Sequence, residues 1–177
     1  ENAIDQARRE IIRMAHFAKK AANQAIEGLD DNDRKKLELA GQTEDAIDNF
    51  QYEITSYLAS LSTRELSEEL SIELPVLLHT VNDLERVGDH AVNIAEIAER
   101  KIGQRISFSD PAQIEGGQLK SEINQMFDSV TTALENNNTE AAKSAVVNEN
   151  NLNRMQKEYR RSHVERMTDG TAKRPSL

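Results

Sequence analysis

Apolar side chains recur along almost the whole chain at a spacing near 3.6 residues, and nowhere do they alternate with period two. That period fits helices that each bury one stripe, and it leaves no segment suited to a sheet. Seven glycines and three prolines in 177 residues give the chain few places to break. The pattern predicts an all-α fold of five helices. The first runs roughly from Ile4 to Ile26, with Ile11, Met14, Phe17, Ala18, Ala21 and Ala25 on one side. The polar stretch DDNDRK at 30–35 separates it from a second, roughly Leu37 to Leu61. Ser62 and Ser67 are both suited to cap a third helix that extends to about Ile102, with Gly103 placed to end it. Pro75 either starts the regular part of that helix or kinks it, because it has no N–H and crowds the preceding turn. Ser109-Asp110-Pro111 opens a fourth helix that ends near Asn136–Asn138, and a fifth runs from about Thr139 to Met167.

Hydrophobic residues make up 37% of the chain and charged residues 30%, with a formal net charge of −9. A chain this acidic is a poor match for nucleic acid, whose phosphates need an excess of Lys and Arg. Cations or a basic protein surface suit it better. There is no cysteine, which removes disulfides, thiolate metal sites and cysteine nucleophiles. No run approaches the ~18 apolar residues of a membrane span, and the first residues do not read as a signal peptide. The chain begins at Glu1 without a methionine, as expected of a piece of a longer polypeptide.

Two of the helices read as copies. EDAIDNFQYEI at 44–54 aligns with ENNLNRMQKEY at 149–159, pairing Glu44 with Glu149, Ile47 with Leu152, Asp48 with Asn153 and Gln51 with Gln156. EIIRM at 10–14 matches EINQM at 122–126 more faintly. A duplicated helical unit follows, with residues 1–103 as a first three-helix repeat and 109–170 as a second that holds two helices. The last stretch, 171–177, is a tail, and no copy of the third helix is present. Helices four and five are then expected to leave apolar stripes uncovered, Ile123, Met126, Val130 and Leu134 on one and Val146, Leu152, Met155 and Tyr159 on the other. An exposed patch of that kind usually finds a partner, so a homo-oligomer is expected.

The chemistry lies in VNDLERVGDHAVNIAEIAER, residues 81–100. At about 100° per residue, Glu85 falls in the arc of Leu74, Leu78, Val81 and Val92, Asp89 at its border, and Glu96 returns to it. On the second helix Glu44, Asp48, Gln51 and Thr55 line the stripe of Ile47, Ile54, Leu58 and Leu61. Residues four apart on a helix are neighbours. Two adjacent helices therefore each present a Glu-x-x-x-Asp pair at the rim of one core. A carboxylate there costs desolvation unless something pairs with it. Arg86 or Arg100 can do so, which is the ordinary fate of such residues. The other solution is a hard cation, for which carboxylate oxygens are suitable ligands.

Other residues offer less. His16, His79, His90 and His163 share no ligand spacing and suit surface or capping roles. No strand–turn–helix elbow supports serine catalysis, and Gly116-Gly117 is an isolated pair rather than a phosphate loop. Arg154, Lys157, Arg160, Arg161 and Arg166 make the end of the fifth helix basic, as a solvated face or a contact for an acidic partner or lipid head groups.

LERVGDHAVNIAE at 84–96 resembles the signature of PhoU-type domains, and RELSEELSIELPVLLHTVND at 64–83 and EDAID at 44–48 resemble the same family in the same order. From REIIRM to RRSHVERMTDG the chain is most similar to the PhoU-like domain that follows the membrane part of bacterial sodium/phosphate cotransporters. The resemblance implies antiparallel three-helix bundles related by duplication. It implies multinuclear metal sites on their Glu-x-x-x-Asp motifs, here Glu44, Asp48, Glu85 and Asp89, with Asp45 and Asp83 as acidic neighbours. The ion would be divalent or trivalent, with iron, manganese, magnesium, nickel and zinc as candidates. It implies a regulatory and non-enzymatic role in phosphate uptake, at the cytoplasmic face of the cell membrane. The partners would be a transporter's membrane domain or phosphate-signalling proteins. The chain departs from the family at Asn153, where an aspartate is expected, and in having no sixth helix. Two rival readings are a structural helical adaptor without metal and a metal-dependent phosphohydrolase, which needs an open metal position and a base.

Overall fold

The computed structural model describes residues 3–64, 66–105 and 110–136, together with Asn150, Asn151, Asn153, Arg154, Lys157, Glu158 and Arg161. Among the described residues there are four helices, α1 (Ala3–Asp31), α2 (Arg34–Ser62), α3 (Glu68–Gly103) and α4 (Asp110–Asn136), and no strand. The seven later residues are helical, within the span expected for a fifth helix. The rest of that span, and the tail at 171–177, lie outside the described residues.

α1 is the central element and packs against α2, α3 and α4. Its alanines make this possible, because Ala7, Ala15, Ala18, Ala21, Ala22 and Ala25 are all buried and let neighbours approach closely on more than one side. Ile11 and Met14 fill the wider gaps and are fully buried. Each such side chain contributes about 1.5–3 kcal/mol relative to exposure. The buried surface is therefore wider than the single stripe expected from the sequence. α1 also runs to Asp31, beyond the expected end near Ile26, and only Asn32 and Asp33 separate it from α2. Asn32 takes the left-handed conformation at φ 52°, which asparagine tolerates better than most residues. Asp33 caps α2, its Oδ1 accepting from the amides of Lys35 at 3.0 Å and Lys36 at 3.3 Å. The turn is tight enough that a Cβ on Gly28 would lie 2.5 Å from Leu37 Cδ2 and 3.2 Å from the Asp33 carbonyl.

α3 begins at Glu68, with Ser67 as its cap, the Oγ accepting from the Leu70 amide at 3.3 Å. Glu68 and Glu69 in the first turn and Arg100 and Lys101 in the last complement the helix dipole. Pro75 lies inside the helix on its exposed side, where a carbonyl left without a donor can turn to water. Gly103 is still helical; the left-handed residue that ends α3 is Arg105, at φ 53°. α3 runs parallel to α1, as the Arg8–Glu73 ion pair near one end and the Lys101–Leu29 hydrogen bond near the other require. α2 runs antiparallel to α1, with the Tyr57 hydroxyl donating to the Ala3 carbonyl at 3.1 Å. Lys101 is 6% exposed and donates from Nζ to the Leu29 carbonyl at 2.7 Å. It supplies the cation that the last turn of α1 lacks. Burial lowers its pKa, while Asp30 and Asp31 pull it back up.

α4 lies on the far side of α1, antiparallel to it. Lys19–Asp128 at 3.6 Å, Asn23–Asn124 at 3.3 Å and Glu27–Lys120 at 3.8 Å mark the alignment. Its apolar stripe is covered within the chain: Leu119, Ile123, Met126 and Phe127 are buried, and Val130 and Leu134 are partly buried against the same core. The expected uncovered stripe on this helix is thus corrected, because α1 offers it a second apolar face. α4 then gives no reason to expect self-association. The corresponding residues of the fifth segment, Val146, Leu152, Met155 and Tyr159, lie outside the described side chains.

Candidate metal centre

Antiparallel packing of α2 on α3 brings the two Glu-x-x-x-Asp motifs to one groove. Gly88 sits where the helices meet: a Cβ there would lie 3.4 Å from Ile47 Cδ1 and 3.6 Å from Glu44 Cγ. Ile47 is fully buried beneath. Glu44 and Glu85 are half-buried beside this floor, and Asp48 and Asp89 are exposed at its edge. One carboxylate oxygen from each of Glu44, Asp45 and Asp48 lies within 4.8 Å of the others. Asp45 is exposed and closes this group from the adjacent position on α2.

Glu85 and Asp89, expected in the same ligand set, are not in this close group; they act on it through charge. Glu44 is pushed up to about 7, first by burial, then by the Asp48 charge and a hydrogen bond to Asp48, and further by Asp45 and Asp89. Glu85 is raised as well, by burial and then by the charges of Asp89 and Asp48. Each aspartate therefore acts across the groove on the glutamate of the other helix. None of the four carboxylates forms an ion pair with another described residue. Arg86, offered by the sequence as a partner, stands 4.0 Å from Asp83. Asp83 itself faces His79 at 3.3 Å and is not in the α2 group.

Oxygen donors without a nearby cation, one of them holding a proton near neutral pH, are a fitting donor set for a hard ion. A cation would take the place of that proton and offset the mutual repulsion. His90 is not a surface side chain, as the sequence had suggested. It is half-buried, and its Nε2 lies 2.8 Å from Asn153 Oδ1. Asn153 is the residue that departs from the aspartate of the first repeat, and here it joins the second half of the chain to α3. Asn151 donates to Glu122 of α4 at 3.3 Å in the same region. His16 is exposed beside Lys19 and Asp128, and His163 lies outside the described residues.

No described helix is long and apolar enough to cross a membrane. A family model, the PhoU domain, matches residues 11–98 and 117–176, most of the chain. A curated relative, a phosphate-specific transport system accessory protein PhoU homolog of Clostridium acetobutylicum, is 31% identical over 108 residues. The match covers 59% of this chain and 49% of the relative, so the chain spans about half the length of that protein. No solved structure matches. With the signature at 84–96 on α3, the helical architecture and both matched stretches in hand, the chain belongs to the PhoU domain family.

Proposed function

We propose that this chain is a regulatory module of phosphate uptake that binds a divalent or trivalent metal ion and acts through protein contacts, not by catalysis. The ion would be held by Glu44 and Asp48 of α2 and Glu85 and Asp89 of α3, with Asp45 at the edge. A bound cation supplies charge compensation that ties the two helices together. The partner would be the membrane part of a sodium/phosphate cotransporter or a phosphate-signalling protein, met at the cytoplasmic face of the membrane. Family membership and the name of the Clostridium relative, an accessory protein of a phosphate-specific transport system, support the phosphate-transport part of this reading.

The observation that carries the metal is the groove itself: carboxylates from two helices raise one another's proton affinity with no cation paired to them among the described residues. The test is metal content. Chain stripped with chelator and reloaded with Mn²⁺, Fe³⁺, Ni²⁺, Zn²⁺ or Mg²⁺ is expected to retain one of them after dialysis. Asp89→Asn is expected to lower the metal per chain while circular dichroism stays unchanged. A wild type that retains none, or a variant that retains as much, contradicts the site. Phosphomonoester or nucleotide hydrolysis abolished by Glu85→Gln would replace regulation with catalysis.

A further inference from the structure

The groove between α2 and α3 continues past the carboxylate cluster and opens into a depression of 580 Å³, within the ~300–1,000 Å³ range of ligand sites. Its floor is apolar, formed by Leu37, Gly41, Val92 and Ala95. Gly41 has open space where a side chain would be, with nothing within 4 Å of an added Cβ. Glu38 and Glu96, both exposed, line it from opposite helices. Neither forms an ion pair with a described residue, whereas Glu99 at the far end has Arg34 at 3.7 Å, and Arg100 stands at the same end.

We infer that this depression docks a Lys- or Arg-bearing segment of a partner protein, the basic side chains meeting Glu38 and Glu96 and a small apolar side chain resting over Gly41. Charge complementarity selects the occupant. With a net charge of −9, a second copy of the chain is repelled and a basic segment attracted. The apolar floor is too large a feature for a bare ion and suits a side chain. The inference rests on the regulatory reading for there being a partner, and it does not depend on the metal.

The probe is a fluorescein-labelled amphipathic peptide of leucine, alanine and arginine, with a glutamate-for-arginine counterpart, titrated with the full chain and followed by anisotropy. The arginine peptide is expected to bind and the glutamate peptide not to. Raising salt should weaken binding, as for any exposed charge pairing. Glu38→Gln with Glu96→Gln should weaken it by about tenfold. Gly41→Leu should weaken it comparably while keeping every charge, and the fold should tolerate it, since glycine is a poor helix residue and the space is open. Glu53→Gln with Glu69→Gln, exposed and outside the depression, should change it by less than about twofold. Metal-free Asp89→Asn should bind as wild type does, so a failed metal site and a failed docking site give different results. No binding, equal weakening by the Glu53/Glu69 pair, or no effect of Gly41→Leu overturns the inference. So does self-association of the chain that Glu96→Gln abolishes, which would give the depression to a second copy.

Discussion

Asp48 and Asn153 fall at matching positions when EDAIDNFQYEI is aligned with ENNLNRMQKEY, and their surroundings differ. Asp48 stands at an exposed groove where its charge raises both Glu44 and Glu85. Asn153 accepts a hydrogen bond from His90, immediately after Asp89 on α3. The first position keeps a charge with no cation paired to it among the described residues. The second has exchanged the charge for a neutral contact within the chain. The same contrast runs through the neighbouring interfaces. On the α2–α3 face Glu44, Asp48, Glu85 and Asp89 have no ion pair among the described residues, while α1–α4 is closed by a buried Phe127, an asparagine pair and ion pairs.

The largest expected effect tests whether the docking side is part of one folding unit. Phe127→Ala removes a side chain that is 1% exposed and should cost about 3–5 kcal/mol. Thermal unfolding should remain a single transition at lower temperature. Two transitions, with the second at the wild-type position, would mean that α4 is only appended to the bundle.

Next comes the pH dependence of the metal-free chain. Glu44 rises from an ordinary 4.5 to about 7 on folding. Between those values the folded chain holds a proton that the unfolded chain has lost. Stability is therefore highest below the window and falls as pH rises through it. Glu85 pulls in the same direction. Asp48→Asn removes a charge acting on both glutamates and should flatten the slope. An unchanged slope in that variant would detach Asp48 from the cluster.

The smallest effect is expected where the neutral copy is given back its charge. Asn153→Asp places a carboxylate beside His90 and should change stability by about 0–1 kcal/mol. Metal content should stay as in the wild type, because one carboxylate does not make a centre. A second equivalent of metal would show that the two copies differ by that residue alone.

Much of the described fold is legible in the sequence, since the order of α1 to α4 and the absence of a strand among the described residues follow from the 3.6-residue period and the caps. What escaped is tertiary. α1 continues to Asp31 through polar residues because Lys101, 72 positions away, caps its end. The left-handed turn after α3 falls on Arg105 instead of Gly103, a register that helix pattern alone does not set. The α4 stripe looked uncovered because a one-dimensional period cannot tell that alanine-rich α1 accepts partners on two sides. In the candidate site, helical spacing put Glu44 and Asp48 on one rim and Glu85 and Asp89 on the facing one, but only Glu44 and Asp48, with Asp45, bring oxygens within 4.8 Å of one another. Asp83 and Asp45 were indistinguishable as acidic neighbours, and only packing sends one toward His79 and the other to the cluster.

The central claim is that a cation replaces the proton held by Glu44 among carboxylates of two helices. Its most direct measurement is the number of protons released when Mn²⁺ binds. Calorimetric titration in buffers of different ionisation enthalpy, at a pH about one unit below the Glu44 value of about 7, reads it directly. The account predicts release of about one proton per ion by the wild type, and release close to zero by Glu44→Gln. Binding without proton release, or release that Glu44→Gln leaves unchanged, contradicts it.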